Sequence, residues 1–272
     1  MRRAPATAKL NLALVVGALR PDGKHEVCTV LQRVDLADRV ELRPAARLSV
    51  RGFAGDTLVS RALELLAAEV GVEPLWEARL TKRVPVASGL GGGSSDAATA
   101  LRLANETLDR PLDAERLHAI ARELGADVPF FLNAGPQLGT GDGAELAPLE
   151  LPQDYWVVVV LPDGAEKSST ADVYARFDAR GGEEGFGERR ARLREVLQTI
   201  RRSRDLAQLP PNDLASSPLS GELLELGAFR ADVTGAGPAV YGLFHRRAAA
   251  EAAQSRIGSR GQAWLTVPAW YF

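Results

Sequence analysis

Apolar and polar positions alternate from residue 6 to residue 16. Ala6, Ala8, Leu10, Leu12 and Leu14 fall on one side of the pattern, Lys9 and Asn11 on the other. A period of two predicts a strand over 6–16. The turn residues Arg20-Pro21-Asp22-Gly23 end it. Further strands are expected over 27–34 and near 39–42. The spacing then becomes helical. Asp56 is placed to cap a helix in which Leu58, Ala62, Leu65, Leu66 and Glu69 recur, with Gly71 as its stop. Residues 76–84 predict another strand that runs directly into a glycine-rich segment. Beyond that segment, Ala97, Ala98, Leu101, Ala104 and Leu108 form one apolar stripe. A further helix has Asp113 as its cap, Leu117, Ile120, Ala121 and Leu124 as its stripe, and Gly125 as its stop.

A polar stretch over 139–152 reads as a connection. It suggests a division into an N-terminal domain, 1–150, and a C-terminal domain, 151–272. The continuous apolar run 156–161, bounded by Pro152 and Pro162, predicts a buried strand. Ser169-Thr170-Ala171-Asp172 has the form of a capping box opening a helix. A glycine-rich acidic turn, 181–187, precedes a charged helix over 189–202. Strands are expected over 239–245 and 263–267, with an alanine-rich helix between them. Strands and helices do not alternate strictly, so the class is α+β rather than a doubly wound sheet.

Composition adds boundaries. The 272 residues are 46% apolar and 25% charged, as in an ordinary globular protein. A net charge of −2 and no interleaving of basic and aromatic residues argue against nucleic acid or an anionic membrane as partner. The single cysteine, Cys28, excludes an internal disulfide and fits a reducing cytoplasm. Arg2 and Arg3 precede an apolar run, but Lys9 and Asn11 interrupt it. A cytoplasmic protein without a targeting or transmembrane segment is therefore expected. The 33 basic residues include only four lysines: Lys9, Lys24, Lys82 and Lys167. In an arginine-rich chain, a retained lysine suggests a need for a compact point charge.

The densest chemical signal is the run Pro85, Val86, Ala87, Ser88, Gly89, Leu90, Gly91, Gly92, Gly93, Ser94, Ser95, which opens a helix. Glycines let successive N–H groups converge on an anion, and a helix N-terminus favours negative charge. No Gly-Lys-Ser/Thr closes the run, so it is a phosphate loop of another kind than Walker A. A serine hydroxyl there also reaches towards phosphate or Mg²⁺. The plainer reading is a tight strand-to-helix turn with small residues for packing. Lys9 and Asn11 share a strand face about 7 Å apart; a solvated face is the plainer reading there. His25 follows a turn. Asp127 follows a helix stop, and Pro129 holds Val128 extended; alone, it reads as a loop carboxylate. Thr234-Gly235-Ala236-Gly237-Pro238 is a second glycine turn. The histidines His25, His118 and His245 are scattered and there is no cysteine pair, so no metal-ligand spacing is present.

In this order, the segments resemble the GHMP kinase superfamily. The motifs are the strand bearing Lys9 and Asn11, the loop from Pro85 to Ser95, and the late glycine turn at Thr234. Arg20-Pro21-Asp22-Gly23-Lys24-His25-Glu26, Lys82-Arg83-Val84-Pro85, the stretch from Leu124 to Phe131 and Asn212-Asp213-Leu214 extend the likeness over most of the chain. It implies an N-terminal domain like the second domain of ribosomal protein S5, a C-terminal ferredoxin-like domain, and ATP in the cleft between them. It implies Asp127 as general base, with Lys9 beside it. ATP would be held by Lys82 and the loop Pro85 to Ser95, with Mg²⁺ on the phosphates and Ser95 as a candidate ligand. Asn11, Lys24, His25, Asp127, Thr170 and Tyr174 fall at substrate positions. The branch most resembled implies a small-molecule substrate, a cytidine diphosphate-linked methylerythritol, and a monomer or weak homodimer. Three positions depart from the pattern: Lys24 where tyrosine is usual, Thr57 for asparagine, and Ala236 for serine or threonine. Kinases of another small alcohol, of the homoserine or mevalonate type, remain an alternative, as does a non-catalytic nucleotide sensor on the same fold.

Overall fold

The computed structural model describes residues 1–164 and 169–269. Lys167 lies outside the described residues.

Two long antiparallel strands form the spine, β1 (Arg2–Leu19) and β2 (His25–Pro44). The two strands expected over 27–34 and 39–42 are one. Thr7 pairs with Ala37 but Ala8 with Val34, so Asp35 and Leu36 bulge out of the ladder. Such an insertion breaks the period-two pattern without ending the strand. Short β3 (Ser49–Arg51) lies parallel to β4 (Trp76–Thr81). Between them in sequence is helix α1 (Leu58–Val70), ended by Gly71 in the left-handed conformation. Asp56 accepts the N–H groups of Val59 and Ser60, both at 3.3 Å, so it caps this helix from one residue outside the cap position.

Helices α2 (Gly92–Asn105) and α3 (Ala114–Leu124) follow, then a 3₁₀ turn, Pro129–Leu132. Strands β5 (Gln137–Thr140) and β6 (Glu145–Pro148) form a hairpin paired to β2. The stretch expected to be a plain connection therefore completes the first sheet. Its strand order is β3-β4-β2-β5-β6, with β1 also on β2. The three helices bury Leu63, Leu66, Leu101 and Ile120 against Val40, Leu42 and Leu80 of this sheet.

The second half supplies β7 (Trp156–Pro162), helix α4 (Thr170–Ala179) with its capping box, helix α5 (Phe186–Thr199) and a 3₁₀ turn, Ser203–Gln208. After these come α6 (Pro218–Glu225), β8 (Arg230–Val233), β9 (Val240–Phe244), α7 (Arg247–Ile257) and β10 (Gly261–Thr266). The antiparallel order β10-β7-β9-β8 puts the first strand of this half between its last and its third, the ferredoxin-like arrangement. Val158 and Val160 of β7 face α6 and α7, while Val157 and Val159 face Leu10 and Leu12 of β1. A strand covered on both sides is apolar throughout, hence the unbroken valine run.

Strand β1 is the shared wall. It contributes Ala6 to the first core, Leu10 and Leu12 to the second, and Leu14 and Val16 to a third cluster with Val173 and Phe177. The fold is α+β, as the unordered succession of elements implied.

Candidate active site

Lys9 and Asn11 are not on a solvated face. They are 3% and 5% exposed. The Lys9 ammonium donates to Asn11 Oδ1 at 2.6 Å and lies 3.8 Å from Asp127 Oδ2. Asn11 is itself fixed: its N–H donates to Thr234 Oγ1 at 3.0 Å, and its amide nitrogen donates to Thr29 Oγ1 at 2.8 Å. The Thr29 hydroxyl in turn donates to the Ala13 carbonyl at 2.8 Å. Asn11 thus stands as a fixed acceptor beside the lysine cation. Asp127 comes from the turn between α3 and the 3₁₀ turn, where Val128 is helical rather than in the extended form expected before Pro129, its carbonyl accepting the Phe131 N–H at 3.1 Å; the Asp127 carboxylate is half exposed to the cleft.

The glycine loop lies across from this pair. Gly89 and Gly91 have φ of +87° and +71°, a region open chiefly to glycine. A Cβ on Gly91 would come within 3.0 Å of Lys9 Cγ and of Phe131 Cζ. The glycines therefore serve close packing, and they also leave N–H groups at the start of α2 with Gly91 as its cap residue. The Leu90 carbonyl accepts the Lys9 N–H at 2.9 Å, which ties the loop to β1. The Ser88 hydroxyl is turned inward onto the Pro85 carbonyl, at 2.7 Å.

A cleft of about 640 Å³ joins these groups. Among the expected site residues, it is lined by Lys9, Asn11, Ala87, Gly89, Gly91, Ser94, Asp127, Thr170 and Tyr174. The turn Gly235-Ala236-Gly237 closes one side. Pro85, Val86, Ser88, Leu90, Gly92, Gly93 and Ser95 belong to the loop without lining the cleft. Ser95 is buried beneath the first turn of α2, and Ser94 is the serine on the cleft side.

Three expected residues stand back from the cleft. His25 is buried behind Tyr174, its ring stacked on the tyrosine at 4.6 Å, with Nε2 at 2.7 Å from Asp178. Burial, with the Asp127 charge adding to it, pushes the Tyr174 hydroxyl up to about 12. Lys24 is on the exposed rim, paired at 2.5 Å with Asp142, whose own residue lines the cleft. Burial raises the Asp142 carboxyl, but the bonds from Lys24 and the Ala144 N–H outweigh it and hold it below its ordinary value.

Lys82 sits between the carboxylates of Asp38 and Asp96, the latter at 2.5 Å. Asp38 also accepts the Val84 N–H at 2.8 Å, fixing the segment between β4 and the loop. Burial works against the Lys82 charge, and the two carboxylates more than restore it. Burial and the neighbouring Asp38 charge push Asp96 up to about 7 in spite of Lys82.

Thr29, Asp142 and Asp38 are site-forming residues absent from the sequence reading. Thr29 had a usable signal, a hydroxyl among apolar residues of a strand. The other two are brought in by long-range pairing. Thr57 occupies the cap position of α1, and Ala236 faces the cleft.

No cluster of three or more His, Cys, Asp or Glu suited to a resident metal exists among the described residues. A Mg²⁺ that arrives with a nucleotide needs only one or two protein oxygens, the remainder being phosphate and water. The Ser94 hydroxyl and the half-exposed Asp127 carboxylate fit that requirement.

Residues 57–135 match the GHMP kinases N terminal domain, and residues 190–263 match the GHMP kinases C terminal. A 4-diphosphocytidyl-2-C-methyl-D-erythritol kinase from Anaeromyxobacter sp. (strain Fw109-5) is 39% identical over 267 residues, covering 92% of this chain and 85% of that protein. A crystal structure of 4-(cytidine 5'-diphospho)-2C-methyl-D-erythritol kinase superposes with a TM-score of 0.80 at 30% identity, covering 98% of this chain and 99% of the other. The Methanococcus jannaschii mevalonate kinase superposes with a TM-score of 0.77, covering 98% of both chains; at 12% identity this likeness concerns the fold alone.

Proposed function

Since this chain belongs to the GHMP kinases, among the 4-diphosphocytidyl-2-C-methyl-D-erythritol kinases, we propose that it transfers the γ-phosphoryl group of ATP to the 2-hydroxyl of 4-diphosphocytidyl-2-C-methyl-D-erythritol, a step of the non-mevalonate route to isoprenoid precursors. The observation that carries this reading is the Lys9–Asp127 pair facing a glycine loop across one cleft.

The chemistry asks chiefly for positioning and charge neutralisation. Asp127 accepts the proton of the substrate hydroxyl as its oxygen attacks the γ-phosphorus. The bond to the β–γ bridging oxygen breaks, and ADP leaves with that oxygen. Lys9, 3.8 Å from the carboxylate, offsets negative charge developing on the attacking oxygen. The N–H groups at the start of α2 hold the phosphates. Ser94 would hold a Mg²⁺ that arrives with the nucleotide, and the ion would supply neutralisation of phosphate charge. Lys82 and the loop from Pro85 to Ser95 serve the nucleotide. Asn11, Thr170 and Tyr174 serve the substrate directly, while His25 supports Tyr174 from behind and Lys24 guards the rim.

Residues 1–150 form the ATP-binding domain in this reading and 151–272 the domain that closes over the substrate. No helix among the described residues is long and apolar enough to cross a membrane. A cytoplasmic location accords with the single cysteine, and a monomer or weak homodimer is part of the same proposal.

The test is ADP release with Mg-ATP and a panel of alcohols: the cytidine diphosphate-linked methylerythritol, homoserine and mevalonate. Turnover confined to the first is expected. Turnover with homoserine or mevalonate and none with the first would overturn the assignment.

A further inference from the structure

Arg33 is buried on β2, directly across the ladder from Lys9 on β1. Opposed residues of an antiparallel pair project to the same face. Two cations therefore rise from one rung, and they engage the same segment at different points. Lys9 faces Asp127. Arg33 Nη2 donates to the carbonyls of Phe131 at 2.5 Å and Phe130 at 3.4 Å.

Those carbonyls belong to the 3₁₀ turn that begins two residues after Asp127. The last carbonyls of a helical turn carry partial negative charge, so a cation suits them, and the Phe130 carbonyl accepts the Asn133 N–H at 3.2 Å as well. One guanidinium nitrogen, Nη2, reaches both of them, and the planar group lies beside the two phenylalanine rings. Its central carbon lies 5.6 and 5.7 Å from the ring centroids of Phe130 and Phe131. The Phe131 ring continues the path, because it borders Gly91 of the phosphate loop, whose other neighbour is the Lys9 stem. At its other end the segment is anchored to α3, where the Gly125 N–H meets the Ala121 carbonyl at 3.3 Å. Asp127 hangs between these two anchors.

A buried charge is costly unless its bonds compensate. Burial, with Arg102 adding to it, brings the Arg33 guanidinium down to about 10, which leaves it cationic at neutral pH. We propose that Arg33 is a positioning residue for the phosphoryl transfer: by holding the turn after Asp127, it sets where that carboxylate stands relative to Lys9 and the phosphate loop. The inference rests on Asp127 being the base.

The experiment uses the full chain with Arg33→Met and Arg33→Lys, each alone and combined with Asp127→Asn. It reads kcat, the KM for ATP and the melting temperature. Arg33→Met is expected to lower kcat by about 10- to 100-fold, the scale of an ångström-sized misplacement, with the KM for ATP little changed. Arg33→Lys keeps the charge and N–H donors but not the planar group beside Phe130 and Phe131, and recovers part of the loss. In the Asp127→Asn background, Arg33→Met should add almost nothing, because the group it positions has lost its function. Equal losses in both backgrounds overturn the proposal, as does a parental kcat for Arg33→Met. Should Arg33→Met not fold, the same comparison with Arg33→Lys decides: a fall in kcat confined to the Asp127 parent supports positioning, and an equal fall in both backgrounds refutes it. A parental rate for Asp127→Asn alone removes the base and this inference together; a low rate there with additive losses removes this inference only.

Discussion

The backbone of Gly89 lies against the carbonyl of Thr234, 145 residues later in the chain. The contact is so close that a Cβ on Gly89 would overlap that oxygen, and φ at Gly89 is +87°. Thr234 is in turn the residue whose hydroxyl accepts the Asn11 N–H. The phosphate loop, the late glycine turn and the strand of Lys9 thus meet at one point.

Gly89→Ala should therefore disturb the loop as a whole. A left-handed non-glycine residue alone costs about 1–2 kcal/mol, and the overlap forces the loop or the Thr234 turn to move. A lower melting temperature and a raised KM for ATP are expected, with Asp127 still in place. A variant that binds ATP as the parent does would show that the approach of the two turns is dispensable.

Asp127→Asn removes the proton acceptor and keeps the shape. General-base catalysis contributes typically about 10²–10⁴-fold, so kcat should fall on that scale while ATP affinity, measured by calorimetry, stays near the parental value. Comparable turnover in the two proteins would take Asp127 out of the mechanism.

Asp96 makes stability fall as pH rises. Its folded value of about 7 lies above its ordinary 3.8. Between these values the native state holds a proton that the unfolded chain has lost, so its stabilising effect is complete below about pH 4 and gone above about pH 7. Lys82, Asp38 and Asp56 are the charged groups that act on it. The melting temperature of Asp96→Asn minus that of the parent should therefore climb from pH 4 to 7 and then level off. A flat or falling difference contradicts the buried, protonated Asp96.

Lys24→Tyr replaces the rim ion pair to Asp142 by a ring. The pair is exposed on the lysine side, 52% for that side chain, and such pairs contribute about 0–1 kcal/mol. Stability should hardly change. Release of Asp142 and an added stacking surface should lower the KM for the cytidine-bearing substrate. An unchanged or higher KM would show that the rim position takes no part in base recognition.

The parts legible in the sequence were those with local causes. Lys9 and Asn11 stood out because polar residues interrupted an apolar strand, and the loop stood out by its glycines. Helix caps such as Asp113 and Ser169 follow from short-range bonds and appear where expected. Arg33 and Asp38 were not legible, because a charged residue at a period-two position reads as a solvent-facing one. Only the packing of a second layer buries them. The bulge at Asp35 and Leu36 made one strand resemble two. The glycines Gly139, Gly141 and Gly143 resembled a linker because the pairing of β5 is with β2, far away in sequence. His25 was expected at the substrate, and its position behind Tyr174 depends on a helix from the other half of the chain.

The residues just after β10 return to β2. The Val267 carbonyl accepts the Asp35 N–H at 2.8 Å, and the Ala269 N–H donates to the Arg33 carbonyl at 3.0 Å. These bonds clasp the same bulge from which the Arg33 rung rises. A ribosome releases the chain from its N-terminus, and N-terminal units generally fold first during synthesis. Here β1, β2 and the glycine loop emerge early, but their clasp emerges after every other described element. The bulge beside the Arg33 rung thus receives these two backbone partners only when the last described residues have been synthesised.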